Sequence, residues 1–161
     1  MKTIFLSSVI LLLSIATEAQ VSKVTLQAAG LTCSMCSNAI HKALKSLECV
    51  ADVDADIKTY SFDISFKPNS IVNFDLVRKK VEKAGFSVTS FIAIIHFDNV
   101  AIKTNQPILV GDKTFLFINI QDQLLNGKKP VKILNPGFVS TKENKRKAIL
   151  TTAPNIYHAT I

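Results

Sequence analysis

The sequence predicts an α+β protein, with a two-layer βαββαβ sandwich in its first half and a small mainly-β unit after it. Three observations predict this. Apolar and polar residues alternate along residues 24–28, 51–57 and 60–66, with a further apolar run at 86–95; two segments between them carry apolar residues at helical spacing; beyond residue 95, short strand-like runs broken by turn signals take over.

In the first strand, Val24, Leu26 and Ala28 alternate with Thr25 and Gln27. Ala39, Ile40, Ala43, Leu44 and Leu47 then recur at helical spacing, with His41, Lys42 and Lys45 off that stripe. Ala51, Val53, Ala55 and Ile57 oppose Asp52, Asp54 and Asp56, and Tyr60, Phe62, Ile64 and Phe66 oppose Ser61, Asp63, Ser65 and Lys67. The short Lys58-Thr59 link makes these two an antiparallel hairpin. Pro68-Asn69-Ser70 ends the run, and Asn73 caps a helix with Phe74, Val77, Val81 and Ala84 on one side and Arg78, Lys79, Glu82 and Lys83 on the other. Gly85 stops this helix, and residues 86–95 supply a fourth apolar strand. Strand, helix, strand, strand, helix, strand is the order of a ferredoxin-like sandwich. A unit of about 70 residues is small but folds without disulfides.

Residues 96–161 are expected to form a separate mainly-β domain. Strand-like runs fall at 100–103, 108–110, 114–120, 131–134 and 157–161, divided by Gly111-Asp112, Asn126-Gly127, Asn135-Pro136-Gly137 and Ala153-Pro154-Asn155. Ser140-Thr141-Lys142-Glu143 fits a capping box, so a short basic helix through Arg146 interrupts the strands. A small closed barrel, OB-like in outline, accommodates this pattern. Its function is not legible. Lys142, Lys145, Arg146 and Lys147 read as a solvated helix face, and His96 and His158 as strand histidines without metal-ligand spacing.

The N-terminus supplies a compartment. Met1-Lys2-Thr3 is a short basic start, residues 4–16 are apolar apart from serines, and Thr17-Glu18-Ala19 resembles a cleavage site. The run is shorter than the ~20 apolar residues of a membrane span. Residues 1–19 are therefore expected to be a signal peptide, residues 20–95 and 96–161 the two domains, and the mature protein periplasmic or secreted with no stable membrane insertion. Cleavage removes one lysine and one glutamate, leaving the formal charge of +7 as it is. The lysines are scattered without aromatic interleaving, which argues against a nucleic-acid partner. No paired carboxylates, nucleophile elbow or phosphate-cradling glycine loop is present, so an enzyme is not expected. Three cysteines in an exported chain leave at least one outside any intramolecular disulfide.

Two of those cysteines carry the chemistry. Gly30-Leu31-Thr32-Cys33-Ser34-Met35-Cys36 sets two thiols three positions apart at a strand-to-helix turn. Thiolates are soft donors that select Cu(I) and other soft or borderline ions over magnesium or calcium. Cys36 falls in the first helical turn, where unpaired amides and the macrodipole favour the thiolate. Two ligands leave an ion under-coordinated, which suits transfer better than storage. The same pair at a helix start also builds thiol–disulfide oxidoreductases, the alternative reading.

The motif, followed by Ile40 and Ala43-Leu44, the hairpin of residues 50–67 and Lys83-Ala84-Gly85-Phe86, resembles the heavy-metal-associated domain of copper chaperones, copper-pump N-terminal modules and periplasmic mercury-binding proteins. The resemblance covers roughly residues 22–93. It implies that Cys33 and Cys36 are the metal ligands. It also implies that Leu31 packs inward where relatives carry Met, that Met35 faces outward, and that Phe86 shields or packs beside the loop. Thr32 before the first cysteine matches copper- and mercury-type members rather than those with a carboxylate there. Cu(I) is the first expectation, with Hg(II) and Zn(II) as alternatives. The implied partner is a metal-donating or metal-accepting protein such as a membrane transporter. Cys49 lies at the far end of the first helix and is expected as a buried small apolar residue.

Overall fold

The computed structural model describes residues 21–31, 34–146 and 155–161. The expected leader, Thr32 and Cys33, Lys147 and the Ala153-Pro154 turn lie outside these residues. The elements run β1 (Val21–Ala29), α1 (Ser34–Lys45), β2 (Val50–Asp56), β3 (Ser61–Phe66), α2 (Phe74–Lys83), β4 (Ser87–Ile102), β5 (Pro107–Val110), β6 (Lys113–Phe117), β7 (Gln123–Ile133), α3 (Thr141–Arg146) and β8 (Ile156–Thr160). The first six follow the expected order.

The strands form one eight-stranded sheet in the order β2-β3-β1-β4-β7-β8-β6-β5. Its first four strands and two helices are the ferredoxin-like sandwich. Val24, Leu26, Phe62, Ile64, Phe91, Ala93 and Ile95 line one sheet face, and Ile40 and Leu44 of α1 with Val77 and Val81 of α2 close over it. Asn73 caps α2 as its sequence predicts, its side-chain oxygen accepting from the Leu76 amide at 2.9 Å. Along β2 the alternation breaks at its start. A bulge between Val50 and Asp52 buries Val50 and Val53 together and turns Ala51 outward, while Ile57 lies beyond the strand and is exposed.

The small closed barrel expected for the second half does not form. Its strands instead extend the sheet from the far edge of β4. The sixteen residues of β4 run unbroken through the boundary expected at residues 95 and 96, pairing with β1 on one side and with β7 on the other from Ile92↔Lys132 to Ile102↔Gln123. Asp98-Asn99, between the runs read as separate strands at 86–95 and 100–103, is absorbed by an irregularity between Phe97 and Val100, with Asn99 at φ +47°. Asn126-Gly127, which reads as a turn, lies inside β7 opposite that irregularity. Pro130 is tolerated in β7 because the β8 pairing begins only at Lys132, leaving Pro130 on an edge-like stretch. β8 closes the arrangement, antiparallel to β7 and parallel to β6.

Aromatic contacts join the halves. Phe74 packs on Phe91 and Tyr157, each with ring centroids 5.1 Å apart, and Phe138 sits edge-on to Phe91 at 5.1 Å and to Tyr157 at 6.1 Å. The Tyr157 hydroxyl donates to the Asp75 carboxylate at 3.0 Å; burial and that carboxylate push the phenol up, so it remains a donor. Arg78 bonds Asp75 and Glu82 and lays its guanidinium 5.4 Å from the centroid of Phe138. Gly137 lies beneath it at φ +85°, where a Cβ would stand 3.1 Å from Arg78 Cδ. Lys113 is buried against Phe74 and pairs with Asp112.

The seam can be tested by truncation and by unfolding. Phe138→Ala should cost about 3–5 kcal/mol, as other buried phenylalanine truncations do. Denaturant unfolding of the parent should show coincident transitions for Tyr60 and Tyr157, read in variants that keep one tyrosine at a time; separate midpoints would mean two independently folding units. Stability should also depend on pH. His158 is buried, its amide donating to Asn135 at 2.7 Å, and burial pushes its imidazole down. Above its ordinary value of about 6.5 both states hold it neutral; below that, the unfolded chain gains a proton that the folded one resists, so stability falls on acidification. Thermal melts from pH 7.5 to 5.5 should show this loss, and His158→Leu should flatten it.

Candidate functional site

The loop between β1 and α1 is built by backbone geometry and one aromatic ring. β1 ends at Ala29, whose neighbour Gly30 turns the chain at φ +92°, a conformation L-side chains rarely adopt. An added Cβ at Gly30 would stand 3.6 Å from Phe86 Cδ1, so the loop backbone rests against that ring. Leu31 points inward and is buried. Phe86 is itself half-buried and packs on the core, which lets one ring both fill space and wall the loop.

What holds Phe86 there is the end of α2. The Phe86 amide donates to the Val81 carbonyl at 3.2 Å and the Gly85 amide to the Glu82 carbonyl at 2.9 Å, with Gly85 at φ +92°. These are the 6→1 and 5→2 bonds of a Schellman motif, which need a left-handed residue at that position. Ser87 then pairs with Ala29, bringing this turn level with the loop. From the other side, the Ala28 amide donates to the Tyr60 carbonyl at 3.2 Å, so the β2–β3 turn also borders the same pole.

Cys36 is the third residue of α1, half-buried and packed against the core. No acidic residue occupies the first turn of α1, so the helix N-terminus favours a thiolate without a competing carboxylate on its own turn. Met35 is 80% exposed and faces away, as expected. Cys33, the other sequence-derived ligand, lies outside the described residues. His41 is five residues beyond Cys36, about 140° further round the helix. His96 and His158 sit in β4 and β8, remote from the loop. Among the described residues, no three His, Cys, Asp or Glu side chains converge as a metal cluster.

Cys49 meets its expected burial in part. It follows the last turn of α1, at the end of the helix away from Ser34, and is half-buried, packed against the core while also lining a groove. Partial burial pushes the thiol up, away from thiolate character at neutral pH. Sequence reasoning missed the Tyr60 backbone contact, since a main-chain carbonyl leaves no residue signature. It also missed the Asp75–Tyr157 bond, which joins positions far apart in the chain.

Comparison with known proteins places the similarity in the first half. Residues 25–87 match the heavy-metal-associated domain family. A probable copper-transporting ATPase of Arabidopsis thaliana is 35% identical over 69 residues, which are 43% of this chain and 7% of the plant protein. The chain therefore spans only a small part of that relative. Among solved structures, the yeast copper transporter domain Ccc2a is 30% identical over 42% of this chain and 90% of that one, with a TM-score of 0.38. A copper binding domain from the P-type ATPase HMA7 is 28% identical, covering 42% of this chain and 89% of its own, with a TM-score of 0.38.

The turn that carries Phe86 is directly testable. Gly85→Ala should lower stability by about 1–2 kcal/mol, the cost of a left-handed non-glycine residue. Gly85→Asn, better tolerated in that region, should lose less in the same denaturant titration.

Proposed function

Residues 25–87 being a heavy-metal-associated domain, we propose that this protein binds one Cu(I) ion through Cys33 and Cys36 and passes it to a second thiol-bearing protein, such as a copper transporter, outside the cytoplasm. Cys36 carries this reading: it stands in the acid-free first turn of α1, behind a Gly30-Leu31 loop walled by Phe86. The donor set fits a soft ion, because two thiolates satisfy Cu(I) where calcium or magnesium would need several oxygens. Among the described residues there are no converging carboxylates or imidazoles to complete the four-ligand shell a structural zinc site uses.

Copper is the cargo, so the chain's task is to hold it and let it go. Each thiol that ligates gives up its proton, and the helix N-terminus offsets the resulting negative charge. With two protein ligands the ion stays open to a third; a partner thiolate adds, one of the chain's own sulfurs leaves, and the exchange repeats without change of oxidation state. Phe86 stands against the backbone at Gly30, and Met35 is exposed. The reading is that of a carrier rather than an enzyme. The apolar run of residues 4–16 supports an exported setting, where the pair works only while reduced.

Anaerobic titration of the reduced protein against a Cu(I)-specific chromophoric chelator should give one ion per chain. Cys33→Ser and Cys36→Ser should each abolish tight binding, while Cys49→Ser should leave it unchanged. Undiminished binding by the Cys33/Cys36 double variant would defeat the proposal. Metal content of protein taken anaerobically from its native compartment separates Cu(I) from Hg(II), Zn(II) and an empty disulfide.

A further inference from the structure

A groove of about 520 Å³ opens at the pole of the sandwich remote from the metal loop, between the turn after α1 and the start of α2. Leu47 is its buried floor, Cys49 and Leu76 lie along it, and Ile71 rises at the rim with 80% of its surface exposed. Leu76 is 45% exposed, unusual for an apolar residue on a helix that otherwise buries its apolar stripe. Two opposite charges also line this groove, Glu48 on the α1 side and Lys80 on the α2 side. The Lys80 ammonium donates to the Ser46 hydroxyl at 2.8 Å, and neither it nor Glu48 enters an ion pair among the described residues.

The patch thus contains a projecting apolar side chain, an apolar recess, and one unpaired charge of each sign. A surface that offers both halves of every contact fits a second copy of itself. A two-fold interface requires this, since residue i of one chain meets residue j of the other and the reverse holds at once. We propose that two copies of this chain associate back to back through this groove, Ile71 of each entering the recess of the other and Glu48 of each facing Lys80 of its partner. The arrangement leaves the two Gly30–Cys36 loops at opposite outer ends, about a helix length from the interface. Each loop stays open to a transfer partner.

Sedimentation velocity of the purified protein, from micromolar to several hundred micromolar, tests this. A concentration-dependent dimer is expected. Ile71→Asp, on a surface site where it leaves the fold intact, should weaken it by roughly 30-fold or more, as loss of a central anchor does. Glu48→Lys or Lys80→Glu alone should weaken it by roughly tenfold, and the two together should restore it. Far-UV CD and the thermal midpoint should be those of the parent in each variant. A monomer at every concentration, a dimer indifferent to Ile71→Asp, or a double reversal no better than the single ones would overturn the proposal. Copper stoichiometry should stay at one per chain in all four variants, so failure of the dimer and failure of metal binding read out separately.

Discussion

Strand β4 is hydrogen-bonded along both edges, to β1 on one side and β7 on the other, and the rest of the structure is arranged around that double pairing. A four-stranded ferredoxin-like sheet ends at β4 with a free row of amides and carbonyls. Here that row continues into a second set of strands. Burying Phe91, Ala93, Ile95 and Phe97 on the helix side of one strand makes the core continuous across its length. Phe138 and Tyr157 of the second half then fall against Phe74 and Phe91 of the first, and the Asp75–Tyr157 bond and Arg78–Phe138 contact fix α2 between them. The second half is in this sense a brace on the layer that carries the β1–α1 loop.

The loop draws its shape from three turns at one pole. Gly30 and Gly85 both sit at φ +92°, one turning the chain towards Cys36 and the other delivering Phe86 against the loop backbone, while the Tyr60 carbonyl holds the end of β1. These features act by placing backbone, and they set the course of the chain as it leaves β1 and as it returns at Phe86. The opposite pole is organised differently: its exposed Ile71 and Leu76 sit over a recess, with Glu48 and Lys80 on its walls. The β1–α1 loop and this apolar pole stand at opposite ends of α1, separated by its length of about 18 Å.

The first half was legible in the sequence because its signals are local. Alternation in β1 and β3, the Asn73 cap and the Gly85 stop each depend on a few neighbouring residues, and burial follows those patterns closely at Val24, Leu26, Phe62 and Ile64. Where reading failed, the cause was a local irregularity with a non-local reason. Ala51 looks like a core position until the bulge beside Val50 moves it outward. Asp98-Asn99 and Asn126-Gly127 look like strand ends until β4 and β7 are seen to absorb them opposite one another. Cys49, expected to be buried because free cysteine usually is, packs on the core but only in part, since it lies past the last turn of α1 beside a groove.

By itself the sequence determined the order of the first six elements, the Cys33/Cys36 pair and the glycines that shape its surroundings, because hydrophobic period, capping and left-handed turns are encoded within a few residues. Only the tertiary structure decided that the later strands extend the same sheet rather than close on themselves. Strand pairing is a choice between edges that look alike in sequence. It is settled by which apolar face finds a matching one, as Phe138 and Tyr157 do on Phe74 and Phe91.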